Sequence, residues 1–231
     1  MSNKMRLLFF LLPLLSATCT LKKDLPAPYQ PVKLTYLTLG DSYTIGQSVG
    51  EKDRFPVQLA ARLQADSFDM GQVRIIAKTG WTTDELAAGI ANSDLTADST
   101  YSLVSLLIGV NNQYRGRTVA AYKPEFETLL NQAIAFAGGK KERVFVVSIP
   151  DYAFTPFGNG SATISQGIDE YNAANREITE AMGIRYFDIT PISRGGLADP
   201  TLVASDGLHP SGKQYAAWVS LMLGGVKEML K

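Results

Sequence analysis

The chain has 231 residues, 45% hydrophobic and 19% charged, a balance that supports a substantial buried core and excludes a disordered or low-complexity protein. Its 22 basic side chains are matched by 22 acidic ones, so nothing in the charge points to a nucleic-acid partner. A single histidine (His209) and a single cysteine (Cys19) exclude an internal disulfide and argue against a zinc site of the usual ligand types, and neither metal nor cofactor is expected.

Residues 1–19 read as an export signal: Lys4 and Arg6 precede an apolar run from Leu7 to Leu15, and small residues follow up to Cys19. The run is too short to span a membrane. A bacterial lipoprotein signal would place a cysteine there to receive lipid, with residues 20–32, rich in Lys and Pro, as a tether. Such signals usually carry Gly, Ala or Ser before the Cys and Leu three places before it; here Thr18 and Ser16 stand there, and lipidation and plain cleavage both stay open. The expected protein is exported by a bacterium, as a periplasmic, secreted or membrane-anchored form, and touches a membrane only through that anchor. Its oligomeric state is not legible.

From residue 33 to 231 one domain is expected, built from five β-rich runs separated by helical patterns. The runs are Leu34–Leu39, Val73–Ala77, Tyr101–Ile108, Val144–Ser148 and Ile184–Phe187, the last three apolar enough to be buried on both faces. Helical stripes follow Pro56 and Thr83, the latter a candidate cap, and then appear at Phe126–Ala137, Ile168–Ile178 and Tyr215–Val226. Alternating strand and helix predicts a three-layer α/β/α sandwich with a central, mostly parallel five-stranded sheet. In such sheets functional groups gather in loops at the carboxyl ends of strands.

Those loops carry four blocks. The first strand exits into Gly40-Asp41-Ser42-Tyr43, where a serine can project from a sharp turn, although Asp-Ser is also ordinary cap chemistry. The second exits into Lys78-Thr79-Gly80-Trp81, and the third into Gly109-Val110-Asn111-Asn112, whose amide could serve as a fixed oxyanion donor or simply as a turn residue. Ahead of the last helix stands Asp206-Gly207-Leu208-His209. His209 is the one imidazole available for acid–base work, and the other acids near strand ends, Asp151, Asp188 and Asp199, read as caps or turn residues.

Gly-Asp-Ser, Gly, Gly-x-Asn and Asp-x-x-His in this order resemble the SGNH hydrolases, also called the GDSL esterase/lipase family, from Leu34 to the last helix. The resemblance implies a flavodoxin-like sheet and a serine esterase: Ser42 as nucleophile, His209 as base, Asp206 as acid, and Gly80, Asn111 and the Ser42 N–H as the oxyanion hole. Tyr43 replaces the usual Leu and Asn112 a common Asp, which puts only loop support in doubt. Activity would rise as an imidazole ordinarily loses its proton, about pH 6–7.

Tyr43, Trp81, Tyr114, Tyr152, Phe154 and Phe157 are candidates for a substrate pocket, with packing of the loops as the other role; Arg115 could read an anion or stay solvated. No long apolar insertion suggests a lipase lid. Short acyl, aryl or acetylated-carbohydrate esters are therefore expected as small-molecule substrates, with lysophospholipase or thioesterase action as the alternative. A catalytically silent, exported carbohydrate-binding lipoprotein is the reading of another class.

Overall fold

The computed structural model describes residues 33–231, so the expected signal, Cys19 and the tether lie outside the described residues. The elements are β1 (Leu34–Gly40), α1 (Ser42–Ile45), α2 (Phe55–Ala65), β2 (Met70–Ala77), α3 (Thr83–Ala91), β3 (Leu103–Leu107), α4 (Val110–Tyr114), α5 (Val119–Phe136), β4 (Val144–Val147), α6 (Ala162–Ala181), β5 (Arg185–Phe187), α7 (Thr190–Ser193) and α8 (Gly212–Leu230). The strands form one sheet in the order β2-β1-β3-β4-β5, every neighbouring pair parallel. Helix α2 packs on α8, while α5 packs on both α3 and α6, giving the helical layers of the expected sandwich. The chain runs from β1 outward to β2 and then crosses to β3 on the other side of β1, so the crevice between the ends of β1 and β3 is the topological switch point.

Apolar β3 and β4 are wholly buried, as their composition requires. The same expectation fails for β5. It is an edge strand; its exposed Arg185 pairs with Glu228 at 3.3 Å, and the Arg176 guanidinium lies 5.1 Å from the Tyr186 ring. The more polar β1 lies in the interior instead, between β2 and β3. It does so because its polar side chains are satisfied: the Tyr36 and Ser105 hydroxyls share a 2.8 Å bond, and Ser105 donates to Thr38 at 2.9 Å.

Two packing details bear on the site. Helix α8 buries Tyr215 and Trp218 edge-to-face, with ring centroids 4.9 Å apart, against Phe55 of α2. Its Tyr215 hydroxyl reaches across to donate to the Tyr43 carbonyl of α1 at 2.9 Å. Helix α3 is capped one residue earlier than its sequence suggests: Thr82 is the N-cap, its N–H donating to the Glu85 carboxylate at 2.9 Å, and Thr83 is the first helical residue. Among the described residues no helix is long and apolar enough to cross a membrane.

Candidate active site

At the end of β1 the chain must turn tightly. A Cβ on Gly40 would lie 2.1 Å from Thr44 Oγ1 and 2.4 Å from the Leu107 carbonyl oxygen, so glycine alone passes there. Asp41 then starts a one-turn helix by accepting the Tyr43 N–H at 3.0 Å, which puts Ser42 at its first position. First-turn amides have no partner within the helix, and no acceptor bonds the Ser42 N–H among the described residues. Asp41 is fully buried and its Oδ2 has no partner. Burial therefore pushes its carboxyl from the ordinary 3.8 up to about 7, the Tyr43 N–H bond opposing only part of the rise.

Two loops approach Ser42 from either side of β1. In the turn after β2, Trp81 N–H donates to the Lys78 carbonyl at 3.2 Å, and Gly80 takes a left-handed φ of 86° that a side chain would strain. After β3, Gly109 (φ 133°) opens α4, which carries Asn111. The Asn111 amide donates one hydrogen to the Trp81 carbonyl at 2.9 Å, which fixes its orientation and leaves a second hydrogen for a ligand. Asn112 is buried, accepting the Thr83 N–H at 3.1 Å and donating to the Thr83 hydroxyl at 2.6 Å. In this fold asparagine ties α4 to the start of α3, so the loop support left in doubt by the sequence is present.

Arg115 belongs to this framework and is not simply solvated. Its guanidinium donates to the Gly80 carbonyl at 2.6 Å and pairs with Glu85 at 3.2 Å, bracing the turn from outside. No local pattern announces this, because the contact joins residues 35 apart through a backbone oxygen.

The loop before α8 holds Asp206 and His209 together. A lone antiparallel bridge between Val203 and Pro210 and a 2.7 Å bond from Ala204 N–H to the His209 carbonyl close it, with Gly207 left-handed at φ 73°. Asp206 Oδ1 accepts the backbone N–H groups of Leu208 and His209, each at 3.0 Å, and its Oδ2 lies 2.6 Å from His209 Nδ1. Oδ2 also accepts the Ser48 hydroxyl at 2.6 Å. Burial opposes ionisation of Asp206, but the bonds from Ser48, His209 and the two amides outweigh it and hold the carboxyl below the usual carboxylate range. With Nδ1–H directed at a carboxylate, the other ring nitrogen is the acceptor. The imidazole is 8% exposed and packs on the Tyr43 ring, centroids 5.5 Å apart. Asp151 and Asp199 do serve as caps, accepting the N–H groups of Ala153 and Thr201, and Asp188 is a turn residue that accepts the Thr190 N–H.

Ser42, Gly80, Asn111 and His209 line one cavity of about 220 Å³ at the switch point. No hydrogen bond joins the Ser42 hydroxyl to the imidazole among the described residues, and such bonds commonly tighten only when a ligand is bound. Of the expected pocket residues, Tyr43, Tyr114, Tyr152 and Phe157 line it, whereas Trp81 and Phe154 do not. Trp81 lies over Gly89 of α3, where a Cβ would come within 2.1 Å of the indole, and Phe154 lines a separate open groove along α6. Leu208, which is not among the expected residues, joins the lining. Tyr114 and Phe157 are 61% and 54% exposed and stand with Tyr152 in a trio whose ring centroids are all 6.3 Å apart, an aromatic rim open to solvent. A hydroxyl, an imidazole held by a carboxylate and uncommitted N–H donors on one cavity are the components of nucleophilic acyl transfer.

The sequence model of the GDSL-like lipase/acylhydrolase family matches residues 38–217. A lipase/acylhydrolase from Enterococcus faecalis superposes with a TM-score of 0.68 at 20% identity, over 86% of this chain and 97% of that one. An acetylxylan esterase from Geobacillus stearothermophilus gives 0.63 at 18% identity, over 84% and 94%. The psychrotrophic esterase EstA from Pseudoalteromonas sp. gives 0.62 at 17% identity, over 85% and 98%. These likenesses are of fold. No curated protein matches the sequence.

Proposed function

The chain belongs to the GDSL-like lipase/acylhydrolase family and is a carboxylic ester hydrolase, and on that premise we propose that Ser42, His209 and Asp206 form its Ser-His-Asp triad. Ser42 Oγ attacks the ester carbonyl while His209 Nε2 takes its proton; the same proton then goes to the departing alkoxide, leaving an acyl-serine. Water, deprotonated by the same nitrogen, attacks the acyl-serine, and the proton passes to the departing Ser42 Oγ as the acid is released. Asp206 fixes the tautomer and stabilises the imidazolium. The N–H groups of Ser42 and Gly80 and the second amide hydrogen of Asn111 stabilise the oxyanion. The observation that most supports this reading is the shared cavity: Ser42, Gly80, Asn111 and His209 line it, and Asp206 Oδ2 stands 2.6 Å from His209 Nδ1.

A cavity of about 220 Å³ suits a short acyl group and leaves the alcohol on the aromatic rim. We therefore read the substrates as short-acyl, aryl or acetylated-carbohydrate esters; the fold is shared with an acetylxylan esterase. A fluorophosphonate probe should label the protein at Ser42 and lose its target in Ser42→Ala. A well-folded protein that is never labelled and hydrolyses none of acetyl, butyryl, longer acyl or lysophospholipid esters would instead be a silent binder. We also propose that the enzyme is exported through residues 1–19. A mass shift lost in Cys19→Ala would mark lipidation.

A further inference from the structure

Helix α1 ends at Gly46 (φ 71°), and two residues later Ser48 is also left-handed, at φ 66°. Glycine meets that conformation without strain, whereas serine pays about 1 kcal/mol for it. What serine adds over glycine is a hydroxyl, and that hydroxyl makes the 2.6 Å bond to Asp206 Oδ2 across 158 residues of chain. The same oxygen faces His209 Nδ1 at 2.6 Å.

We propose that Ser48 is a positioning residue of the hydrolytic centre, its hydroxyl clamping Asp206 against His209 from the segment that follows the nucleophile's helix. The proposal rests on the triad reading above. Backbone N–H groups of the loop hold Oδ1, but the side chain of Asp206 is 29% exposed, and without Ser48 the face of Oδ2 turned away from the imidazole would be left to water. The carboxylate would then swing more freely. It would also keep more of its charge for the imidazole, because a donor that shares the oxygen withdraws some of it. Both effects act on proton transfer and not on substrate binding. The clamp couples two loops as well, since the residues that carry nucleophile and clamp are only six apart and the acid arrives from the far end of the chain.

The groups directly against the imidazole are Asp206 on its own loop and Tyr43 from α1; Tyr114 and Tyr152 line the same cavity, Asp41, Asp151 and Tyr215 lie around Tyr43, and Arg54 lies near Tyr215. Replacing Ser48 alters none of them directly. The test is kcat and KM for p-nitrophenyl acetate between pH 5 and 9 in the full-length protein, Ser48→Ala and Ser48→Gly. Ser48→Gly removes the hydroxyl and the backbone strain together, so it should unfold no earlier than the parent. Both variants should lose about tenfold in kcat with KM within about twofold, the loss of one charge-assisted hydrogen bond. Their acidic limbs should move to higher pH by about half a unit, since a less shared carboxylate favours the imidazolium. A stable Ser48→Gly with the parental kcat and limb would overturn the proposal. Ser42→Ala, run beside them, separates the two readings: if it retains hydrolysis, the triad assignment fails, whereas its inactivity beside a fully active Ser48→Gly removes only the clamp.

Discussion

Replacing Asp41 by asparagine should flatten the dependence of folding stability on pH. The carboxyl is fully buried with one oxygen unpartnered, and it titrates near 7 in the fold against 3.8 ordinarily. The folded protein therefore binds this proton more tightly than the unfolded chain does. The stability it contributes is fully present below about pH 4 and is lost as the pH climbs through 7, a total of roughly 4 kcal/mol. Between pH 5 and pH 8 the part lost is roughly 2–3 kcal/mol. Asparagine keeps an oxygen for the Tyr43 N–H and does not titrate. Urea unfolding of both proteins at pH 5 and pH 8 gives a double difference, in which groups common to the two cancel, including Asp84, whose bonds to Arg117 and Thr82 hold it at about 2. Parent and variant changing in parallel, within about 0.5 kcal/mol, would refute the reasoning, because a buried carboxyl with half its lone pairs unmet cannot be silent in this range.

Asn111→Ala should lower kcat by about 10²–10³ with little change in KM, measured on a soluble acetate ester, as expected when one oxyanion donor is lost. Tyr114→Ala and Phe157→Ala, at the exposed rim, should leave the unfolding midpoint unchanged and raise KM several-fold for acetylated sugars or aryl acetates, with methyl or ethyl acetate unaffected. Gly109→Ala should destabilise by about 2–4 kcal/mol in urea unfolding, since at φ 133° the new Cβ would lie 2.8 Å from Ile149 Cδ1 and 2.9 Å from Tyr122 Cε2.

The sheet was legible because its period and composition agree: each β-rich run met a strand, with ends moved by one to three residues. Strand position was less legible. Apolarity marked β3 and β4 as interior, but β5 is as apolar in outline and lies at the edge, while β1 is interior because Tyr36, Thr38 and Ser105 bond one another, a pairing between strands that no local pattern announces. The residues gathered round the cavity were legible from the loops that carry them, since parallel strands deliver those loops to one end. The pocket was half legible. Aromatic residues near the strand exits were visible, but which way each ring turns depends on tertiary neighbours: Gly89 takes the Trp81 indole, and of the two phenylalanines Phe157 lines the cavity while Phe154 lines another groove. The supports of Arg115 and Ser48 were not legible at all, because each acts through a partner far away in sequence.

The Tyr215 hydroxyl meets the Tyr43 carbonyl across 172 residues, and Ser48 meets Asp206 across 158. Contacts of such span close late, after the entropy of the intervening chain has been lost. The crevice is thus closed by a segment far downstream of β1, and a chain cut before residue 204 keeps the Ser42 loop but lacks both Asp206 and His209. Hydrolysis in a refolding experiment should accordingly lag behind the recovery of secondary structure, so that turnover reports the docking of the final helix and serves as a clock for the completion of the fold.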